Sequence, residues 1–151
     1  MKSYIDVTNE YLGSDKKCIG NISYEDNYNI KEHTEEIDMA LWLHNNFGGD
    51  INLLIENNRS YGIKRSDYEW NGKYWELKSL SSEKAIDSAL RKAISQIYVN
   101  PGGVILDFGK NKIDLQKIYN KIEERISTSC RFKIDIMIIN YKKLLKVIRF
   151  E

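Results

Sequence analysis

An α/β domain, with a mixed central sheet flanked by helices, is the fold class that this 151-residue chain predicts. Three observations lead to it. Apolar residues recur at three- and four-residue spacing in segments 32–47, 83–98 and 115–127, a pattern typical of helices with one buried face. Short apolar runs bounded by Gly, Pro, Asn or Asp lie between these segments, as expected of buried strands. Asn71-Gly72 between aromatic-rich flanks indicates a β-hairpin with a two-residue type I′ turn.

The amino-terminal part of the chain has the weakest pattern. Residues 1–30 are rich in Asn, Asp, Tyr and Ser, so we expect an irregular lead-in with one short strand at most. A single domain is expected over residues 31–151. Its first helix covers residues 32–47 and ends at Gly48-Gly49, since glycine readily adopts the left-handed backbone found at helix ends. The apolar run at residues 51–55 predicts the first buried strand.

The remaining elements follow the Asn71-Gly72 hairpin. Ser82 is expected to cap the second helix, because a serine oxygen accepts a hydrogen bond from a free N–H of the first turn. The predicted segments are a helix at 83–98, a strand at 104–108, a helix at 115–127 and a hairpin formed by 132–139 and 144–150. The order is therefore α-β-β-β-α-β-α-β-β, which is an αβββαβ core with an extra helix and a carboxyl-terminal hairpin.

Composition excludes several classes of protein. The chain has 23 Lys and Arg residues against 22 Asp and Glu, a formal net charge of +1. This balance excludes a histone-like polycation and an acidic tail protein, but it leaves open nucleic-acid binding through a local basic patch. Cys18 and Cys130 lie far apart and indicate neither a zinc site nor a disulfide framework.

Location is predicted from the hydropathy of the chain. No apolar run approaches the roughly 18 residues that a membrane span needs, and the amino terminus lacks the apolar region of a signal peptide. We therefore expect a cytoplasmic protein with no membrane partner. Delivery to another cell by a dedicated machine is compatible with this sequence.

The turn at Asn71-Gly72 determines the register of its hairpin. Counting outward from the turn, Asp67 is opposite Glu76. Opposed side chains have Cβ atoms about 4.5–5.5 Å apart, and like charges at this distance destabilise a sheet. Because side chains alternate along a strand, Lys78 lies on the same face as Glu76. The register therefore predicts two acids and one ammonium group in a single patch.

The repulsion between Asp67 and Glu76 must be offset. A divalent cation would do so, Lys78 would do so in part, and a raised pKa would let one carboxyl keep its proton. A third acid, Glu36, leads the apolar stripe of the first helix and reaches the pair if that helix packs on the ionic face of the hairpin. A structural alternative without a functional site stays open, since Glu and Lys two positions apart are also common on solvated strand faces.

Basic residues near this patch form a candidate nucleic-acid-binding surface. They lie just before Asp67 and on the polar side of the second helix, and a few of them suffice for contacts to phosphates. The alternative is that those on the helix simply form its solvated face. The residues are Lys64, Arg65, Lys84, Arg91 and Lys92.

The arrangement of Asp67 and Glu76-Leu77-Lys78 within α-β-β-β-α-β resembles the PD-(D/E)xK nuclease core. The resemblance covers residues 31–108. In that fold the first helix often supplies a further acid, which here is Glu36. The chain departs from the motif at Ser66, where the proline would stand, and in the short gap between Asp67 and Glu76.

Residues 20–151 also resemble the C-terminal tRNase domains of CdiA-type contact-dependent inhibition toxins and their relatives in phages and mobile elements. The stretches that carry this resemblance are EEIDMALWL, SDYEWNGKYWELKS, ISQIYVNPGGVILDF and KVIRF. It implies an RNase, with tRNA as substrate and an immunity protein as a possible partner. It also implies an active site that contains Asp67, Glu76, Lys78 and a polar residue of the following helix, Gln96.

Two mechanisms are compatible with these residues. If a metal is bound, Asp67 and Glu76, with Glu36 directly or through water, are hard oxygen ligands suited to Mg²⁺. If none is bound and the substrate is RNA, the 2′-OH attacks its own phosphate. Glu76 or Asp67 then acts as base, while Lys78 stabilises the developing charge.

Two other functions stay open at this point. The first is a metal-dependent PD-(D/E)xK DNase. The second is a non-catalytic protein on the same scaffold, such as a phage-type inhibitor that binds a host nucleoprotein.

Overall fold

A computed structural model describes residues 3–55, 57–58 and 63–151 of the chain, without the side chains of 57, 58, 63 and 64. The strands are β1 (Tyr4–Asp6), β2 (Ile22–Tyr24), β3 (Ile51–Leu53), β4 (Asn57–Asn58), β5 (Ile63–Lys64), β6 (Tyr68–Trp70), β7 (Lys73–Ser79), β8 (Pro101–Asp107), β9 (Ile134–Asn140) and β10 (Lys143–Phe150). The α-helices are α1 (Thr8–Leu12), α2 (Thr34–Asn46), α3 (Ile86–Ile97) and α4 (Leu115–Ser129). Two 3₁₀ turns, Ile30–Glu32 and Glu83–Ala85, precede α2 and α3.

The main sheet has eight strands in the order β1-β10-β9-β8-β7-β6-β3-β2. Its centre is parallel, because β8 runs parallel to both β7 and β9. On either side the pairing turns antiparallel through the β6–β7 and β9–β10 hairpins, and β2 adds to β3 in parallel. Strands β4 and β5 form a separate two-stranded sheet. The predicted mixed α/β sheet flanked by helices is confirmed.

Helices cover both faces of this sheet. On one face Met39, Ala40 and Leu43 of α2 pack on Trp75 and Leu77 of β7 in a single core cluster. On the other face the apolar stripes of α3 and α4 pack on Val104, Leu106 and Phe108 in a second cluster. The sheet is thus the middle layer of three.

Register assigns each polar residue of β7 to one of these faces. Glu76 is paired with Val104, and Lys78 with Leu106. Neighbours in register share a face of a sheet, so Glu76 and Lys78 point toward α3 and α4. Trp75, one position away, points toward α2. The strand therefore has one apolar side and one ionic side, as its alternation predicted.

The Asn71-Gly72 hairpin forms in the predicted register. Tyr68 is paired with Trp75 and Trp70 with Lys73. The φ angles of Asn71 and Gly72 are 51° and 79°, the positive pair that a type I′ turn requires. Ser82 accepts a hydrogen bond from the Lys84 N–H, but it caps the 3₁₀ turn Glu83–Ala85 that leads into α3 and not α3 itself, which begins at Ile86.

The amino-terminal segment differs from the expected irregular lead-in. It contributes two strands and a short helix, with β1 paired to β10 and β2 paired to β3. Three-residue edge strands bury little apolar surface, so they leave almost no periodic pattern to detect. In the part of the chain that is described, no helix combines the length and the hydropathy that a membrane crossing demands.

Candidate active site

The predicted carboxylate pair forms where β6 begins. The Asp67 N–H donates to Glu76 Oε1 at 2.9 Å, and the Leu77 N–H donates to Asp67 Oδ2 at 2.8 Å. Each carboxylate therefore binds the backbone beside the other one. These reciprocal bonds extend the hairpin ladder one step past Tyr68, and they hold the two acids together despite their like charge.

Lys78 supplies the nearest cation. Its Nζ lies 3.2 Å from Glu76 Oε2, and the Lys78 and Glu76 side chains are only 21% and 5% exposed. Glu76 thus uses one oxygen for the Asp67 amide and the other for the ammonium group. A partly buried ion pair of this kind is screened far less by salt than a surface pair.

One cation does not compensate this group of acids. Burial raises the pKa of Asp67 well above its usual range, and the Glu76 carboxylate raises it further, as does Glu36 more weakly. The Leu77 N–H acts in the opposite direction but does not prevail. Asp67 is therefore the acid of this pair whose charged form the fold disfavours.

Glu36 approaches the pair by a route that differs from the expected one. The prediction required α2 to pack on the ionic face of the hairpin, but α2 packs on the apolar face against Trp75. The helix is nonetheless anchored beside the site, because the Tyr68 hydroxyl donates to the Glu36 carbonyl oxygen. Glu36 Oε2 also lies 3.9 Å from His33 Nδ1.

Gln96 lies on α3, the helix that covers the ionic face. Its side-chain oxygen is buried and has no hydrogen-bond partner among the described residues. A buried amide oxygen without a partner costs about 1–3 kcal/mol, so such groups are rare away from functional sites.

The predicted basic surface is only partly available. Arg65 is held by Glu25, with its Nη1 at 2.9 Å and 2.8 Å from the two carboxylate oxygens. Lys84, Arg91 and Lys92 are exposed on the outer side of the α3 region. The Lys64 side chain lies outside the described residues.

Metal ligation was predicted for Asp67 and Glu76. Within the described ranges, no three His, Cys, Asp or Glu residues converge to hold an ion. Two carboxylates still match Mg²⁺, which commonly binds through one or two protein carboxylates, waters and substrate phosphates. The negative charge that Lys78 leaves uncompensated is what such an ion would neutralise.

A second buried ionic group lies on the other face of the sheet, and sequence reasoning missed it. Arg149 donates to both oxygens of Asp135 at 2.7 Å and 2.9 Å, and to both oxygens of Glu10 at 3.1 Å and 3.2 Å. The Tyr11 hydroxyl also donates to Asp135. Asp135 interrupts the apolar run from Ile134 to Ile139, and this interruption is the one sequence signal that marks it.

Comparisons with known proteins bear on the fold. No protein-family model matches the sequence, and no significant match is found among curated proteins. Among solved structures, the chain is similar to one chain of the CdiA-CT/CdiI toxin and immunity complex from Burkholderia pseudomallei, with a TM-score of 0.50 and 14% sequence identity. The alignment covers 82% of this chain and 97% of that one. At this identity the likeness shows a shared fold, which extends over most of both chains.

Proposed function

We propose that this protein is a toxin-type endonuclease that cleaves RNA, with tRNA as its preferred substrate. The observation that carries the proposal is the buried Asp67–Glu76 pair with Lys78 beside it. Two buried carboxyls beside a single ammonium group, with the pKa of Asp67 raised, are costly for a fold to maintain, and arrangements of this kind cluster at catalytic sites. The sequence resemblance to CdiA-type tRNase domains supports RNA as the substrate.

The pair supplies both halves of a proton transfer. The ionised carboxylate takes the proton from a ribose 2′-OH as the 2′ oxygen bonds to phosphorus. The protonated carboxyl gives its proton to the 5′ oxygen as the P–O5′ bond breaks. The products are a 2′,3′-cyclic phosphate and a free 5′-OH. Lys78 stabilises the charge that develops on the phosphoryl oxygens.

Other groups of the chain assist these residues. The free amide oxygen of Gln96 is suited to accept a hydrogen bond from a substrate hydroxyl or base. Glu36 helps to keep the proton on Asp67. If Mg²⁺ binds, Asp67 and Glu76 would hold it, and the ion would supply an activated water and further charge stabilisation.

The test is a cleavage assay on three substrates, which are unfractionated tRNA, rRNA and duplex DNA, each with Mg²⁺ and with EDTA. We expect tRNA cleavage by the unmodified chain and loss of cleavage in Glu76→Gln. The matched control is Glu69→Gln, which neutralises another acid of the same hairpin and should cleave normally. Cleavage in EDTA that yields cyclic phosphate ends supports the carboxyl-pair mechanism.

Three results would contradict the proposal. Intact substrates under all conditions would favour a non-catalytic binding protein. Preferential, Mg²⁺-dependent cleavage of duplex DNA would favour the DNase. Equal activity of Glu76→Gln and the unmodified chain would move the chemistry elsewhere.

A protein partner is part of the proposal. The structural neighbour comes from a toxin and immunity complex, and a nuclease toxin requires an inhibitor in the cell that makes it. An immunity protein that covers the Asp67–Glu76 patch would suppress cleavage. Co-purification with a protein encoded beside this chain, and its inhibition of cleavage at equimolar ratio, would test this.

A further inference from the structure

The turn between β9 and β10 is strained. Its central residues Tyr141 and Lys142 have φ angles of 52° and 57°, in the left-handed region that favours glycine and asparagine. The other two-residue hairpin turn of the sheet, Asn71-Gly72, uses the residues that suit this geometry. A backbone conformation that its own residues disfavour persists only where neighbouring structure imposes it.

Three hydrogen bonds impose the conformation. The Tyr141 N–H donates to the Gly109 carbonyl oxygen at 2.7 Å, and the Trp42 indole donates to the Lys142 carbonyl oxygen at 3.1 Å. The Asn140 side chain donates to the same Gly109 oxygen at 2.9 Å. The turn is thereby fastened both to α2 and to the loop at residues 109–112.

The turn held in this way exposes the Tyr141 ring next to several lysines. Tyr141 is 56% exposed. Four lysines surround it in the chain and in the attached loop, all of them exposed, and none forms an ion pair with another residue that the structure describes. We call these residues the lysine platform, and they are Lys110, Lys112, Lys142 and Lys143 together with Tyr141.

The platform lies at the same edge of the sheet as the candidate active site. Lys78 is in register with Leu106, and Leu106 with Ile138, three residues before the turn. Two strand spacings separate β7 from β9, about 10 Å, and the turn begins about 10 Å further along the strand direction. A polynucleotide crosses such a distance in two or three nucleotides.

We infer that the lysine platform binds the phosphodiester backbone of the RNA beside the cleaved bond, an inference that rests on the proposed function. Four uncompensated lysines match successive phosphates, and an exposed tyrosine ring stacks a base. The predicted α3 surface is weaker by comparison, because Arg91 lies one helical turn after Asp87, an acid on the same face. Contacts of Tyr141 and Lys142 with RNA would explain why the turn holds these two residues although they strain its backbone.

A measurement of RNA binding tests this inference independently of RNA cleavage. The protein used is the Glu76→Gln chain, which keeps the RNA intact, and the probes are fluorescent unfractionated tRNA and a labelled DNA duplex. The test variant adds Lys142→Glu and Lys143→Glu. The control adds Arg131→Glu and Lys133→Glu, which change the net charge equally at the opposite end of the sheet. Thermal melts establish that each variant is folded.

We expect the Kd for tRNA to rise about tenfold in the platform variant at 0.1 M salt, with the slope of log affinity against log salt reduced by about 1.4, the effect of two phosphate contacts at about 0.7 each. The control should stay within about twofold. Equal weakening in both variants, or in neither, overturns the inference. Tighter binding of the duplex by the parent chain overturns the assignment to RNA.

Failure of the inference and failure of the proposed function give different results. If the unmodified chain cleaves tRNA but the platform variant binds tRNA like the control, the RNA-binding role of the platform is wrong and the proposed nuclease function is unaffected. If no substrate is cleaved but the platform variant alone loses tRNA binding, the RNA-binding role is supported and the proposed nuclease function is wrong. Greater loss in an Arg91→Glu, Lys92→Glu variant would move the contact to α3.

Discussion

Two buried ionic groups lie on opposite faces of one sheet, and they accommodate buried charge differently. Asp135 is in register, through Gly103, with Trp75, the residue next to Glu76, so the two groups are only one residue step apart along the strands. On the face that α2 covers, Asp135 is the only deeply buried acid of its group, and Arg149 donates two parallel hydrogen bonds to it. On the face that α3 and α4 cover, Asp67 and Glu76 lie together with a single nearby cation, Lys78, which pairs with Glu76.

The two environments have opposite effects on the charged forms of their residues, as the pKa shifts of Arg149 and Asp67 indicate. Hydrogen bonding to Asp135 raises the pKa of Arg149, which means that its charge is stabilised where it lies. Burial and Glu76 raise the pKa of Asp67, so the charge of this group is destabilised. The first group stabilises the fold, whereas the second is maintained by the fold at a cost. This contrast is the physical argument for placing function at the Asp67–Glu76 pair.

The largest difference between the two groups is expected when Arg149 is removed. Arg149→Met leaves Asp135 buried without its cation, which should lower the free energy of unfolding by about 3–5 kcal/mol in urea denaturation. Arg131→Met, at an exposed position, is the control and should change it by less than about 0.5 kcal/mol. A loss under 1 kcal/mol for Arg149→Met would mean that the Asp135–Arg149 group does not stabilise the fold.

Removing Lys78 tests the Asp67–Glu76 group. Lys78→Met should reduce single-turnover tRNA cleavage by about 10²–10³-fold, the cost of losing one charge-stabilising donor. Its effect on stability at pH 7 should be smaller than that of Arg149→Met, because a proton can replace the lost cation on the acid pair. Lys73→Met, on the same strand and exposed, should cleave normally. A Lys78→Met chain that cleaves at the normal rate would remove Lys78 from the mechanism.

The pH dependence of Asp67 sharpens the contrast. Because the pKa of Asp67 is raised by folding, its contribution to stability is present below about pH 4 and is lost as pH rises through the raised pKa. Asp67→Asn should therefore match the unmodified chain below about pH 4 and exceed it at pH 7 in EDTA. The expected gain in Tm is about 2–4 °C for each kcal/mol of repulsion removed.

This prediction has a clear counter-result. A difference between Asp67→Asn and the unmodified chain that is the same at pH 4 and pH 7 would show that titration of Asp67 is not its source. A lower Tm at pH 7 would show that the acid pair stabilises the fold.

Gln96 should give the smallest effect. Gln96→Leu removes the unpartnered oxygen and replaces it with an apolar group of similar size, so we expect a gain of about 1 kcal/mol in urea denaturation together with slower cleavage. Gln116→Leu, exposed on α4, is the control and should change neither. Loss of stability in Gln96→Leu would indicate a structural amide rather than one reserved for substrate.

Much of this arrangement could be predicted from local patterns. The Asn71-Gly72 turn determines the register, and the register brings Asp67 to Glu76. The apolar stripes of α3 and α4 were also readable, because a helix face repeats over several turns. Each of these inferences needs only neighbouring residues, and each one agrees with the structure. The catalytic roles of these residues stay predictions.

Features that depend on distant residues could not be read in this way. The face on which α2 packs is decided by the whole sheet, so local pattern could state only a condition for Glu36, that α2 packs on the ionic face of the hairpin, and could not decide whether it is met. The Tyr11–Asp135 hydrogen bond joins residues 124 positions apart. The Gln96 side-chain oxygen lacks a hydrogen-bond partner because no donor among the described residues comes within reach of it. No spacing in the sequence predicts such an absence.

The pairing of Tyr4 with Phe150 has a kinetic consequence. Strand β1 has no partner until β10 exists, and β10 forms the edge of the parallel core through β9. Contacts between such distant residues slow folding, because the chain must close a very long loop before they stabilise it. The sheet is therefore completed late in folding, because its last strand β1 pairs only after β10 has formed on β9.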